Sequence, residues 1–246
     1  MSIASSRLFG WQAEKIFFTA MAISMTVVVF IGFSRSFFLD AFFPEVTGAP
    51  ESVFFVHGVL FTAWMALLIV QTWLVGSRRV ALHRKLGLWG VGLAAAMVGA
   101  GTAGSFVAAA RPGGFLGVGM PPLEFLAIVV ADMVLFGLFV GLAALWRRDG
   151  PRHKRLMLLA TINLLEAAIV RIPLPFIAAG GPLMHHWMAD IFIVALVVWD
   201  ITTLRRLHSV TLWGGLLTVV SQPLRFWIAG TAAWLTIAAW AVSLVR

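Results

Sequence analysis

The sequence predicts an all-α integral membrane bundle of about seven transmembrane helices, N-terminus inside and C-terminus outside. Three observations carry that expectation. Of 246 residues, 61% are hydrophobic and only 11% charged, about half the charged share of a soluble domain; the mean hydropathy is +0.98. The apolar residues come in runs of roughly 20, enough for a helix to cross a bilayer at about 1.5 Å per residue. The basic residues gather in alternate loops between those runs, the pattern that retains Lys and Arg on the inner side. No polar block is long enough for a second domain, so residues 1–246 are read as one bundle.

The first span is placed at about Ile16–Phe38, after a short, mildly basic start with no signal-peptide cleavage pattern. An acidic loop rich in Pro and Gly follows, with Asp40, Pro44, Glu45, Gly48, Pro50 and Glu51, as suits an external turn. The second span, about Val53–Val75, carries His57 near its outer end. It delivers the chain to a basic turn holding Arg78, Arg79, His83, Arg84 and Lys85. The third, about Leu86–Ala109, places Gly92, Ala96, Ala100, Gly104 and Ala108 four residues apart. That ridge is read as helix–helix packing, since small residues let backbones approach in lipid; the other reading is room for a flat cofactor or substrate. After the Gly/Pro-rich loop Arg111–Pro122, span four runs from about Leu123 to Trp146. The basic turn Arg147–Arg155 precedes span five, which starts at Leu156 and is broken by Pro173 and Pro175. Span six is about His185–Leu204, closed by Arg205 and Arg206. Val210–Gln222 is read as an interfacial or re-entrant helix stopped by Pro223, and span seven as about Arg225–Val245. With this threading, 14 of the 18 Lys and Arg fall inside and four outside.

Composition removes several functions. The net charge of +8 and pI near 11.6 do not indicate nucleic acid, because the cations sit in short loops beside the lipid bilayer. The absence of cysteine excludes disulfides, iron–sulfur clusters and thiol chemistry. The 11 tryptophans take the interfacial role that tyrosine would share. There is no HExxH, P-loop, G-x-S-x-G or dinucleotide fingerprint.

Ionisable groups inside spans are costly and mark sites or buried pairs. His57, Glu124, Arg171, His186 and Asp190 are expected in the outer half of the bundle, with Asp132 and Glu166 near the midplane and Asn163 a turn from Glu166. His186 and Asp190 are i, i+4 neighbours, spaced for a carboxylate to orient an imidazole. His185 is read as interfacial, and His208 as an ordinary residue of a basic turn. His83 and His153 lie at the inner face.

The histidine placement, His57 with His186 outside and His83 with His153 inside, resembles the diheme transmembrane b-type cytochromes over roughly Val53–Leu204. That resemblance implies haem b held by those two pairs, electron transfer, and a quinone or redox protein as partner. The segment TAWMALLIVQTWLVGSRRVALHRKLG resembles uncharacterised polytopic proteins of bacterial inner membranes, which implies that location. Two further functions stand beside the redox one. One is a proton-coupled carrier or channel using Asp132, Glu166, Asn163, Glu124, Arg171 and Asp190, since two close carboxylates in low dielectric do not both stay ionised. The other is a structural or assembly subunit in which Arg171 pairs with Glu124 or Asp190.

Overall fold

The computed structural model describes residues 3–43, 52–115 and 118–245. The described residues are helical and contain no strand. Helix α1 spans Ile3–Gly32, and the chain then widens into a π-helical turn at Ser34–Phe38 and tightens into a 3₁₀ turn at Asp40–Phe42. Helix α2 is Ser52–Gly76, α3 Val80–Ala110, α4 Pro122–Leu145 and α5 Gly150–Ile162. Two single-turn helices follow, α6 at Glu166–Ile169 and α7 at Pro175–Ala178. Then come α8 at Gly181–Leu204, α9 at Ser209–Ala229 and α10 at Ala232–Ser243. The expected acidic loop at Pro44–Glu51 lies outside the described residues, as does Gly117 of the loop before α4.

Five of these helices are long and apolar enough to cross a membrane, and six if α9 and α10 count as one bent span. The chain is therefore a multi-pass helical membrane protein. Its surface fits that setting. Ile191, Val194, Val198 and Ile201 on α8, and Leu216, Val220, Leu224 and Trp227 on α9, are all exposed. Apolar belts of this extent are unstable in water and at home in lipid.

Helices α1 to α4 follow one another as antiparallel neighbours, and α4 packs on α5 and α9. The segment α5–α6 is central. Arg155, Leu156 and every residue from Leu158 to Glu166 are buried, with α1, α4, α8 and α9 around them. Trp64 of α2 fixes one wall: its ring meets Phe136 edge-on at 5.0 Å and its indole N–H donates to the Thr161 hydroxyl at 3.2 Å. Gly32 at the end of α1 fixes another. A Cβ there would run into the backbone carbonyl of Ala168, so only glycine lets α1 lie against α6.

Three boundaries differ from the sequence expectation. The break in the fifth segment comes first at Asn163–Leu165, before the two prolines. There the backbone N–H groups of Leu164 and Leu165 bond three residues back, to Thr161 and Ile162. Buried surroundings tolerate irregular backbone at that depth because protein groups satisfy it.

Pro223 does not stop a helix. It lies inside α9 on an exposed face, and removing one backbone N–H there leaves the rest of the ladder intact. The chain instead turns by 79° after Ala229, where the Thr231 hydroxyl accepts from the Trp234 N–H and starts α10. The seventh span is thus no straight Arg225–Val245 helix. Helix α10 folds across the ends of α3 and α4, with Ala238 and Val242 against Ala109 and Leu126.

The small-residue ridge of α3 is only half a packing face. Gly104 and Ala108 are buried, Ala100 is half-buried, and Gly92 and Ala96 are exposed. A four-residue step advances about 400° around a helix, so five such residues drift by about 160° and cannot share one face. The buried stripe is Ala94, Met97, Gly101, Gly104 and Ala108.

Candidate functional site

Helix α9 carries Arg225 into the centre of the bundle, where it is buried. Its guanidinium is the hub of a polar network drawn from four helices and the break after α5. One terminal nitrogen donates to Asp132 of α4 at 2.5 Å and to His186 Nε2 of α8 at 3.1 Å. The other reaches Ser221 Oγ at 3.1 Å and Asn163 Oδ1 at 3.4 Å. The Asn163 amide in turn donates to the Leu159 carbonyl at 2.8 Å and to the Thr218 hydroxyl at 3.3 Å. Gln222 donates to Asp190 at 2.9 Å. The break at Asn163 is what frees that side chain to serve both α5 and α9.

The two histidines of α8 have their tautomers set by these contacts. His186 Nδ1 lies 2.9 Å from the Pro182 carbonyl. A carbonyl only accepts, so Nδ1 carries the proton and Nε2 offers its lone pair to Arg225. His185 Nε2 lies 2.8 Å from the Ile177 carbonyl and must likewise be the protonated nitrogen. Its Nδ1 lone pair then points to Glu166 Oε1 at 3.9 Å. Neither of those two atoms has a hydrogen-bond partner among the described residues, and both side chains are only 2–3% exposed. A buried imidazole acceptor facing a buried carboxyl oxygen accommodates one shared proton, on the carboxyl or on the ring.

The structure thus brings together Asp132, Asn163, Glu166, His186 and Asp190. His185, expected at the interface, is buried among them. His186 and Asp190 do not pair; each has another partner. Three expected members make no hydrogen bond to the network among the described residues, although the Arg171 charge acts on both Glu166 and His57. Glu124 is in the first turn of α4. Arg171 is exposed, stacked over Phe33 at 5.0 Å, with neither Glu124 nor Asp190. His57 stacks on Phe61 at 4.1 Å between ring centroids.

The four histidines divide differently from the expected pairs. His57 sits on α2, which packs on α1 and α3, whereas α8 packs on α5, α6, α7 and α9. His186 also has both nitrogens engaged, so His57 and His186 do not fit a shared axial pair. The inner pair is close: the His83 and His153 rings are 6.1 Å apart and nearly perpendicular. His153 Nδ1 bonds the Ala143 carbonyl at 2.9 Å, and His83 Nδ1 is buried without a partner among the described residues. No group of three or more His, Asp or Glu among the described residues is placed to hold a metal.

Sequence reasoning missed Arg225 and a second buried cluster. Arg225 looks like a loop cation only if the helix ends at Pro223; a helix continuing through the proline places it inside. At the basic end of the bundle, Arg155 Nε donates to Asp200 at 3.1 Å, with both groups buried. Asp200 also accepts from the Thr211 hydroxyl at 2.5 Å and from the His208 N–H at 3.2 Å. This cluster ties α5, α8 and α9 together. Partial burial, and then the Arg155 charge, hold His208 below the usual imidazole range. That leaves its Nδ1 free to accept from the Val210 N–H at 3.2 Å and cap α9. No family model matches the chain, and no curated protein or solved structure matches it.

Proposed function

We propose that this chain moves protons through the buried network, alone or coupled to a solute, across a bacterial inner membrane. The observation that carries the reading is the Glu166–His185 pair. A proton on Glu166 Oε1 gives two neutral groups and a proton on His185 Nδ1 gives a carboxylate–imidazolium ion pair, so transfer between them leaves the net buried charge unchanged. A 3.9 Å separation exceeds a hydrogen bond, and a small side-chain movement closes it. Arg225 and Asp132 form a compensated ion pair beside this site, and His186 with Asn163 holds the guanidinium in place. Ionisable groups so costly to bury are retained in membrane proteins chiefly along ion and proton paths.

The threading that goes with this reading is seven passes, N-terminus in. It counts the interrupted α5–α7 as one pass and α9 with α10 as one. The test is proton flux in liposomes containing the purified chain and an internal pH dye. Wild-type protein should collapse an imposed gradient, and Glu166→Gln, which keeps the shape and removes the titrating oxygen, should slow this by about tenfold or more, the usual scale for losing a positioned acid–base group. Equal rates for the two proteins would end the reading, and no flux above empty liposomes would end its uncoupled form.

One observation favours a second reading. The 6.1 Å separation of the His83 and His153 rings suits one metal between two imidazoles at about 2 Å per bond. A haem b on that inner pair would make the protein an electron carrier to quinone or a redox partner. A reduced-minus-oxidised spectrum of haem-supplied protein decides it.

A further inference from the structure

A second polar cavity lies away from the proton network. At the basic end, α1, α5, α8 and α9 border a half-open cavity of about 980 Å³. Its walls are of two kinds. One is cationic, with Arg152, Lys154, Arg155 and Arg206. The other is apolar, with Leu204, Leu212 and Trp213, all exposed on the faces of α8 and α9 that meet lipid.

The carboxylates near the cavity do not cancel this charge. Arg155 is committed to Asp200 beneath the floor. Lys154 lies 2.6 Å from Glu14 and Arg152 3.2 Å from Asp149, with the two carboxylate side chains 48% and 41% exposed. Pairs that open to solvent hold weakly and exchange partners readily. Arg206 is exposed and has no carboxylate partner among the described residues. A ligand entering here meets one uncommitted guanidinium, two exchangeable cations and an apolar wall continuous with the bilayer surface.

We propose that this cavity binds the phosphate headgroup of an anionic lipid, with the acyl chains running over Leu212 and Trp213. A phosphate matches the guanidinium fork of Arg206. Basic pockets between helices at the positively charged side of a membrane protein have the right position for such headgroups. The apolar wall favours a lipid over a soluble phosphate ester, because a soluble ester leaves Leu212 and Trp213 unused.

The test is native mass spectrometry of the full-length protein in detergent, with equal amounts of phosphatidylglycerol and phosphatidylcholine. Phosphatidylglycerol should be retained and phosphatidylcholine should not. Arg206→Gln should weaken retention by about fivefold, the scale of one basic residue at an anionic surface, and Arg206→Lys, which keeps the charge and loses the fork, should restore it only in part. Trp213→Ala should weaken lipid retention in the folded protein by removing the apolar wall. Millimolar inorganic phosphate should not displace the lipid. Equal retention of both lipids, or no response to Arg206→Gln, overturns the proposal. Full displacement by inorganic phosphate assigns the cavity to a soluble phosphate and overturns the lipid.

Discussion

Arg225 illustrates how one side chain is stabilised in a setting that penalises it. An unpaired guanidinium in the bundle interior would be prohibitive, and its contacts with Asp132, His186, Asn163 and Ser221 offset that cost. Removing one partner strands the other. Arg225→Met should therefore destabilise the protein by about 3–5 kcal/mol by leaving Asp132 buried and unpaired. Adding Asp132→Asn to that variant should recover much of the loss, because no uncompensated charge remains. Thermal denaturation in detergent of the two single variants and the double variant measures the coupling. Additive losses would show that the two side chains do not act as a pair. The same residue also shows the limit of reading depth from sequence. Its position is set by whether the helix passes through Pro223, and that is decided by the neighbours able to satisfy the backbone.

Among the elements, the interrupted α5–α6 segment matters most. It is buried on nearly all sides, and its break carries Asn163 and Glu166 into the network. Glycine at position 32 lets α1 approach the Ala168 carbonyl and holds α6 in place. Gly32→Ala should push α1 and α6 apart. Overpacking of this kind costs about 1–3 kcal/mol, and here it would also shift Glu166 relative to His185. The measurable outcome is a lower melting temperature together with slower proton flux. A normal melting temperature would mean that the two elements are not in tight contact. Amphipathic periodicity gave no warning of the break. The buried segment has no polar stripe, and the irregular turn contains neither glycine nor proline.

For the whole molecule, the proposed threading predicts that reporter fusions after Ser77, Arg148 and Arg206 read inside. Fusions near Pro50, Gly117 and Gly181 should read outside. A reversal among the internal fusions removes the assignment. Arg225, moved from loop to core, drops out of the inner count, and the Lys and Arg bias still points the same way. The sequence by itself determined the class of the molecule: apolar runs of spanning length have no stable alternative to helices in lipid. It also marked Asp132, Asn163, Glu166, His186 and Asp190, along with His57, Glu124 and Arg171, as groups that must turn away from lipid, because their cost inside a span depends on position alone. Only the tertiary structure decided which of them meet. It set His186 against Arg225 instead of His57, turned His185 to Glu166, left Arg171 on Phe33, and bent α9 into α10 at Gly230 and not at Pro223. Those outcomes depend on helix rotation and on which helices are neighbours. Packing fixes both, and four-residue spacing, which drifts about 40° per step around a helix, does not encode either.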